Sequence, residues 1–175
     1  MDNKKILMII APRDFRDEEY LRPRKVFEKY GYEVVVASSS LAESSGMLGL
    51  KAKPDIALKD VRAADYKAVV FVGGKGAQVF WEDKMAHRLA QDFFGRDKIV
   101  AAICIAPVIL ANAGILEGSK ATCFMTERPR LAEKGAIVSE EPVVRDGDIV
   151  TASGPEAADL FAVQIVDALS EKEQI

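Results

Sequence analysis

One histidine and two cysteines stand among the 175 residues, and no C-x-x-C pair occurs. The usual zinc sites draw several ligands from that set, so no resident metal or cofactor is expected. The two cysteines, Cys104 and Cys123, both lie in apolar stretches and make no disulfide framework. Basic charge is also short. The net charge is −3, which leaves no electrostatic footprint for nucleic acid. No apolar run approaches the roughly 20 residues that a membrane-crossing helix needs. The opening M-D-N-K-K-I-L-M-I-I-A has only a short apolar run before Pro12-Arg13-Asp14, and reads as a buried strand rather than a signal peptide. These shortages point to a cytoplasmic protein with no nucleic-acid or membrane partner.

What is present is a globular composition, 49% hydrophobic and 29% charged, at a length that suits one domain over residues 1–175. Apolar runs at 4–11, 32–37, 66–72 and 98–103 read as strands buried on both faces. Helical periods fall between them, at 17–30 (stopped by Gly31), 84–94 (stopped by Gly95) and 106–113 (stopped by Gly114). Residues 48–58 read as a hairpin or excursion around Pro54-Asp55, and Asp60 as the cap of a short helical turn. V-V-R-D-G-D-I-V-T-A reads as a hairpin turning at Asp146-Gly147. A last helix spans 155–169 with Pro155 in its first turn. Strands alternating with helices predict an α/β fold, a mainly parallel sheet with helices on both faces.

In such sheets ligands bind at the carboxyl ends of the strands. Four places there carry unusual residues. In A-A-I-C-I-A-P-V-I-L, Cys104 lies between an apolar strand and an apolar helix. That is the layout of a nucleophile elbow, where free amides and the helix dipole favour a thiolate. The alternative is a small buried hydrophobe. In F-V-G-G-K-G-A, Gly73 and Gly74 let backbone amides approach a ligand, as an oxyanion hole does, or simply make a tight turn. In R-D-E-E-Y-L-R-P, Glu18 shares a stripe with Arg22, Lys25 and Lys29, an ion-paired solvated face. Glu19 shares the inward stripe with Pro23, Val26 and Tyr30, where burial raises a carboxyl pKa and suits it to proton transfer. An exposed helix-start glutamate is the other reading. Pro23 cannot donate to the Glu19 carbonyl, so the helix starts late or bends there. In T-A-S-G-P-E, a strand ends in a small polar turn that includes Ser153 and Pro155.

A cysteine hydrolase normally pairs its thiol with an imidazole. Only His87 is available, on a helix expected to bury Met85, Ala86, Leu89, Ala90 and Phe93. His87 falls with Lys84, Arg88 and Gln91 on the polar side and is expected to face solvent. A catalytic Cys-His couple within one chain is therefore disfavoured.

Taken together, A-I-C-x-x-P around Cys104, F-V-G-G, D-x-E-x-x-x-P around Glu19 and T-A-S-G-P resemble, in order, the ThiJ/PfpI family of the class I glutamine amidotransferase-like superfamily. The resemblance covers essentially the whole chain. It implies a flavodoxin-like three-layer sandwich and a homodimer or higher homo-oligomer. It implies Cys104 as nucleophile or oxidation site, with Glu19 hydrogen-bonded to it and the Gly73, Gly74 and Ile105 amides around the sulfur. It implies cofactor-independent glyoxalase or deglycase, peptidase, chaperone or redox-sensing activity. The peptidase-like branch has histidine where Ile105 stands. The branch that includes the parkinsonism-linked human protein often has one in the strand after the elbow helix, where this chain has A-T-C-F-M-T.

Three functions follow in order. The first is a Cys104/Glu19 enzyme on small reactive aldehydes, with Phe124, Ser153 and Pro155 in the pocket and Arg13, Arg16 and Lys75 at its rim. The second is a redox sensor oxidised at Cys104, with Cys123 a candidate resolving thiol. The third is a cysteine peptidase or amidase borrowing a base from another subunit.

Overall fold

The computed structural model describes residues 3–174. The chain opens with strand β1 (Lys5–Ile9), a short strand β2 (Arg13–Phe15) and helix α1 (Asp17–Lys29), and returns in β3 (Glu33–Ser38). An excursion follows, in which β4 (Ser44–Gly46) pairs antiparallel with β5 (Lys51–Ala52) and parallel with β2. Next come β6 (Ile56–Ala57), β7 (Ala68–Phe71), α2 (Lys84–Gly95), β8 (Ile99–Ile103) and the short α3 (Pro107–Asn112). A small flank holds β9 (Lys120–Ala121), α4 (Arg128–Glu133) and β10 (Ile137–Val138). The hairpin of β11 (Val143–Asp146) and β12 (Ile149–Ala152) precedes the last helix, α5 (Ala158–Glu173).

The main sheet has seven strands in the order β11-β12-β8-β7-β1-β3-β6, parallel throughout except for the β11–β12 hairpin. Alternate side chains of the central strands feed two cores. Leu7, Ile9, Val69, Phe71 and Val100 pack with Leu89 and Phe93 of α2 and Ile109 of α3. Ile6, Met8, Val70, Ile99 and Ala101 pack with Phe27 of α1 and Phe161 and Ile165 of α5. This is a flavodoxin-like α/β sandwich, and burial on both faces is why these strands are apolar at every position. Each such side chain contributes about 1.5–3 kcal/mol on leaving water. β3 and β7 flank β1 on opposite sides, so the chain reverses its direction across the sheet there. The loops that follow β1, β7 and β8 consequently meet at one edge.

Several local expectations are corrected. Asp60 lies inside the 3-10 turn Leu58–Asp60 and caps nothing, since the backbone enters that turn at Ala57. Pro155 opens a 3-10 turn, and α5 proper starts at Ala158 and continues past Leu169 to Glu173. α1 does not start late; it begins at Asp17 and continues to Lys29 with Pro23 inside it. Tyr30 and Met85 are exposed, because α1 turns Tyr20 and Phe27 inward and α2 needs only Ala86, Leu89, Ala90 and Phe93. Glu18 pairs with Arg16 at 2.5 Å, across the helix start, and not with Arg22. β2 has no signature of its own, because it exists through tertiary pairing of Arg13 and Phe15 with Ser45 and Gly46.

Candidate active site

Cys104 follows the last residue of β8 with φ +67°, a left-handed backbone that non-glycine residues rarely adopt. Two hydrogen bonds hold it there. Its N–H donates to Ala152 O at 2.9 Å, and its carbonyl accepts from Phe124 N at 2.7 Å. Strain of this kind persists only where the surroundings dictate it, and an elbow that lifts a side chain off the sheet is such a place.

The helix that follows supplies less than the expected cradle of amides. Ala106 N donates to Ile103 O, Val108 N to Ile105 O, and Pro107 has no N–H. Only the Ile105 amide is left to face the sulfur, and Gly74 contributes the second amide from the loop after β7. Gly73 does something different: its amide lies against the Glu19 carboxyl. The close approach explains the glycine pair. A Cβ on Gly73 would stand 2.4 Å from Glu19 Oε1 and 2.6 Å from Cys104 Cβ. One on Gly74, which has φ +100°, would stand 2.3 Å from Arg16 N.

Glu19, in the first turn of α1, is fully buried, and neither carboxyl oxygen has a hydrogen bond of ordinary geometry. Burial pushes its carboxyl up to about 8, against the opposing pull of the Cys104 thiol, Arg16 and the Gly73 amide. The expectation of an ionised thiol at rest is not met. Burial first, and the Glu19 carboxylate second, push Cys104 up to about 12, while the Gly74 and Ile105 amides pull it down. Both groups are raised mainly because each charge is poorly solvated there, and the Glu19 carboxylate adds to the raise on Cys104. The site is therefore a coupled acid pair that holds at most one negative charge near neutrality. A neutral Glu19 carboxyl is itself a proton donor aimed at the sulfur side of the pocket.

The sulfur opens to a pocket of about 410 Å³. Arg16, Lys75 and Gln78 form one wall, and Phe124, Glu127, Pro155 and Glu156 another. Phe124 and Pro155 thus join Cys104, Glu19, Gly74 and Ile105 at one place. Ser153 does not line it, and its N–H is spent on Pro142 O at 2.9 Å. Arg13 lies in an adjoining groove with Pro12 and Val79. Met47 and Glu156 went unread in the sequence; Met47 arrives on the loop whose Leu48 and Leu50 amides donate to Asp17, each at 3.0 Å.

His87 is half-buried, not solvent-facing, with its Nε2 2.7 Å from the Trp81 carbonyl. A carbonyl only accepts, so Nε2 carries the proton, and His87 does not line the pocket at Cys104. Cys123 is fully buried, and both cysteines are free. Among the described residues no group of three or more His, Cys, Asp or Glu side chains converges to hold a metal, and no helix is long and apolar enough to cross a membrane.

A parallel sheet that carries a cysteine on a strained strand-to-helix turn, with a buried carboxyl behind it, defines a nucleophile-elbow α/β protein. The chain belongs to the DJ-1/PfpI family, whose profile matches residues 4–168. It is similar to the crystal structure of a ThiJ/PfpI domain protein from Brachyspira murdochii, with a TM-score of 0.95 and 37% identity over 98% of this chain and 99% of that one. It is 41% identical to the uncharacterized protein MJ0967 of Methanocaldococcus jannaschii over 99% of this chain and 86% of that protein. It is 28% identical to the glutathione-independent glyoxalase DJR-1.2 of Caenorhabditis elegans over 98% of this chain and 91% of that protein.

Proposed function

We propose that the chain is a cofactor-independent enzyme on small α-oxoaldehydes, with Cys104 as nucleophile and Glu19 as proton carrier. One observation carries the reading: a thiol and a fully buried carboxyl share one pocket with two amides and no imidazole. Similarity to a relative named as a glutathione-independent glyoxalase agrees with it.

The chemistry balances without an outside oxidant. The thiol adds to the aldehyde carbon, the C=O π bond breaks, and the proton ends on oxygen to give a hemithioacetal. The Gly74 and Ile105 amides face the developing oxyanion and sulfur. Glu19 removes the proton from the former aldehyde carbon and returns one to the adjacent carbonyl carbon, while the hemithioacetal hydroxyl proton passes to the second oxygen. The first carbon is thereby oxidised to a thioester and the second reduced to an alcohol. Water then cleaves the thioester, releasing a 2-hydroxy acid and the free thiol. A peptidase reading lacks support because the one imidazole is committed elsewhere.

The test is to incubate the purified protein with methylglyoxal in the absence of any added thiol. Stoichiometric lactate is the expected result; no consumption above the buffer rate overturns the reading.

The same acid pair favours a second reading, oxidation of Cys104 by peroxide. Oxygen transfer to sulfur gives a sulfenic acid and water, and a second peroxide gives the sulfinate, to which a protonated Glu19 donates. Intact mass after mild peroxide is expected to rise by oxygen on Cys104. An unchanged mass, or oxygen on other residues alone, removes it.

A further inference from the structure

We propose that Trp81 is a positioning residue for Cys104, which holds the Ile105–Ala106 peptide, one plane beyond the nucleophile, through its indole N–H. That N–H donates to the Ile105 carbonyl at 3.0 Å, from the segment between the 3-10 turn Lys75–Phe80 and α2. The remaining bond to that carbonyl comes from Val108 N at 3.3 Å, long for an amide donor. Ile105 is thus held on both sides: Phe124 N grips the Cys104 carbonyl of its own amide plane at 2.7 Å, and the indole gives the next plane its one short bond.

Trp81 is itself held from three elements. Its carbonyl accepts from His87 Nε2 of α2 at 2.7 Å and from Asn112 Nδ2 of α3 at 2.8 Å. The Arg130 guanidinium of α4 lies over the ring, 4.7 Å from its centroid. Ring stacking and two carbonyl bonds leave the indole little freedom, so its N–H direction is set before any substrate arrives. This gives the lone histidine a role: it steadies the residue that steadies the elbow.

The consequence concerns the sulfur. Every other amide of the turn is spent, so the Ile105 N–H is the only one that α3 offers to Cys104. With the Ile105–Ala106 peptide released, the Phe124 bond alone steadies the plane that carries the Ile105 amide, and that amide turns from the sulfur for part of the time. The groups that otherwise act on the thiol are Glu19, Arg16 and the Gly74 amide, none of which hydrogen-bonds to Trp81.

The inference concerns thiol reactivity and stands apart from the substrate reading, so its test uses iodoacetamide. The rate of alkylation at Cys104, located by peptide mass, is followed from pH 6 to 10. Trp81→Phe keeps the ring and removes the donor. Its alkylation rate is expected to fall about tenfold at each pH in this range. His87→Ala, which loosens the Trp81 carbonyl, is expected to slow alkylation in the same way by a smaller factor. A purely structural Trp81 lowers the urea midpoint and leaves the alkylation profile of the folded protein unchanged, and that result overturns the proposal. Should Trp81→Phe not fold, the His87→Ala profile decides: slower alkylation supports the role, and superposition on the parent rejects it. Parent protein inert to methylglyoxal leaves this comparison intact.

Discussion

Glu19→Gln is expected to gain stability as pH rises relative to the parent, while it loses turnover. The parent carboxyl is buried without a partner of ordinary geometry, and burial pushes it up to about 8 from the usual 4.5. In the unfolded chain the same group releases its proton near 4.5. Between those two values the unfolded state has shed a proton that the native state keeps. Fewer protons on the unfolded chain means that stability falls as pH rises. The contribution is whole below 4.5 and lost through about 8, at most about 5 kcal/mol for a raise of that size. Glutamine keeps the shape and cannot ionise, so its curve lacks this slope. At pH 4 the variant is expected to equal the parent or fall slightly below it, since the new amide needs partners at a cost of about 1–3 kcal/mol. At pH 8 it is expected to exceed the parent. Urea unfolding of both proteins from pH 4 to 9 checks this, and parallel curves contradict it. Turnover of methylglyoxal is expected to drop about 10²–10⁴-fold, the usual weight of a general acid–base.

That a carboxyl is kept where it destabilises the protein is what made it legible. Glu19 sat on an inward stripe in the sequence, and polar residues on such a stripe are informative because their burial has a cost. The strands were legible for the opposite reason, as continuous apolar runs have few homes other than a doubly covered sheet. The elbow was legible from the join of an apolar strand to an apolar helix at Cys104. The left-handed φ of that residue was not, since it depends on the Ala152 and Phe124 backbones that grip it from afar. Ser153 misled for a related reason. Its neighbours reach the pocket, yet its amide is fixed by Pro142, a partner that no local pattern announces. Met47 and Trp81 were invisible because their roles arise from loops clasped by Asp17 and by His87 and Asn112. The thiol's resting state was misjudged because α3 is short and spends its amides internally, so burial outweighs the helix end.

Cys104→Ser is expected to abolish aldehyde turnover, by at least about 10³-fold, with the fold intact. Serine fits the same strained backbone and nearly the same volume, and both hydrogen bonds that grip residue 104 are main-chain bonds. Urea unfolding should therefore move by less than about 1 kcal/mol, which separates lost chemistry from lost structure. The hydroxyl is a far weaker acid than the thiol, and neither Glu19 nor two amides brings an alkoxide within reach near neutral pH. The comparison with Glu19→Gln assigns the roles. If Cys104 forms the bond and Glu19 moves the proton, removing sulfur stops adduct formation, whereas removing the carboxyl leaves an adduct that turns over slowly. Mass spectrometry after a short pulse of methylglyoxal should then find covalently bound three-carbon units on the glutamine variant and none at position 104 of the serine variant. Parent-level consumption by Cys104→Ser would instead place the reaction elsewhere on the molecule, since no arrangement of Glu19 and amides alone supplies a nucleophile to the carbonyl carbon.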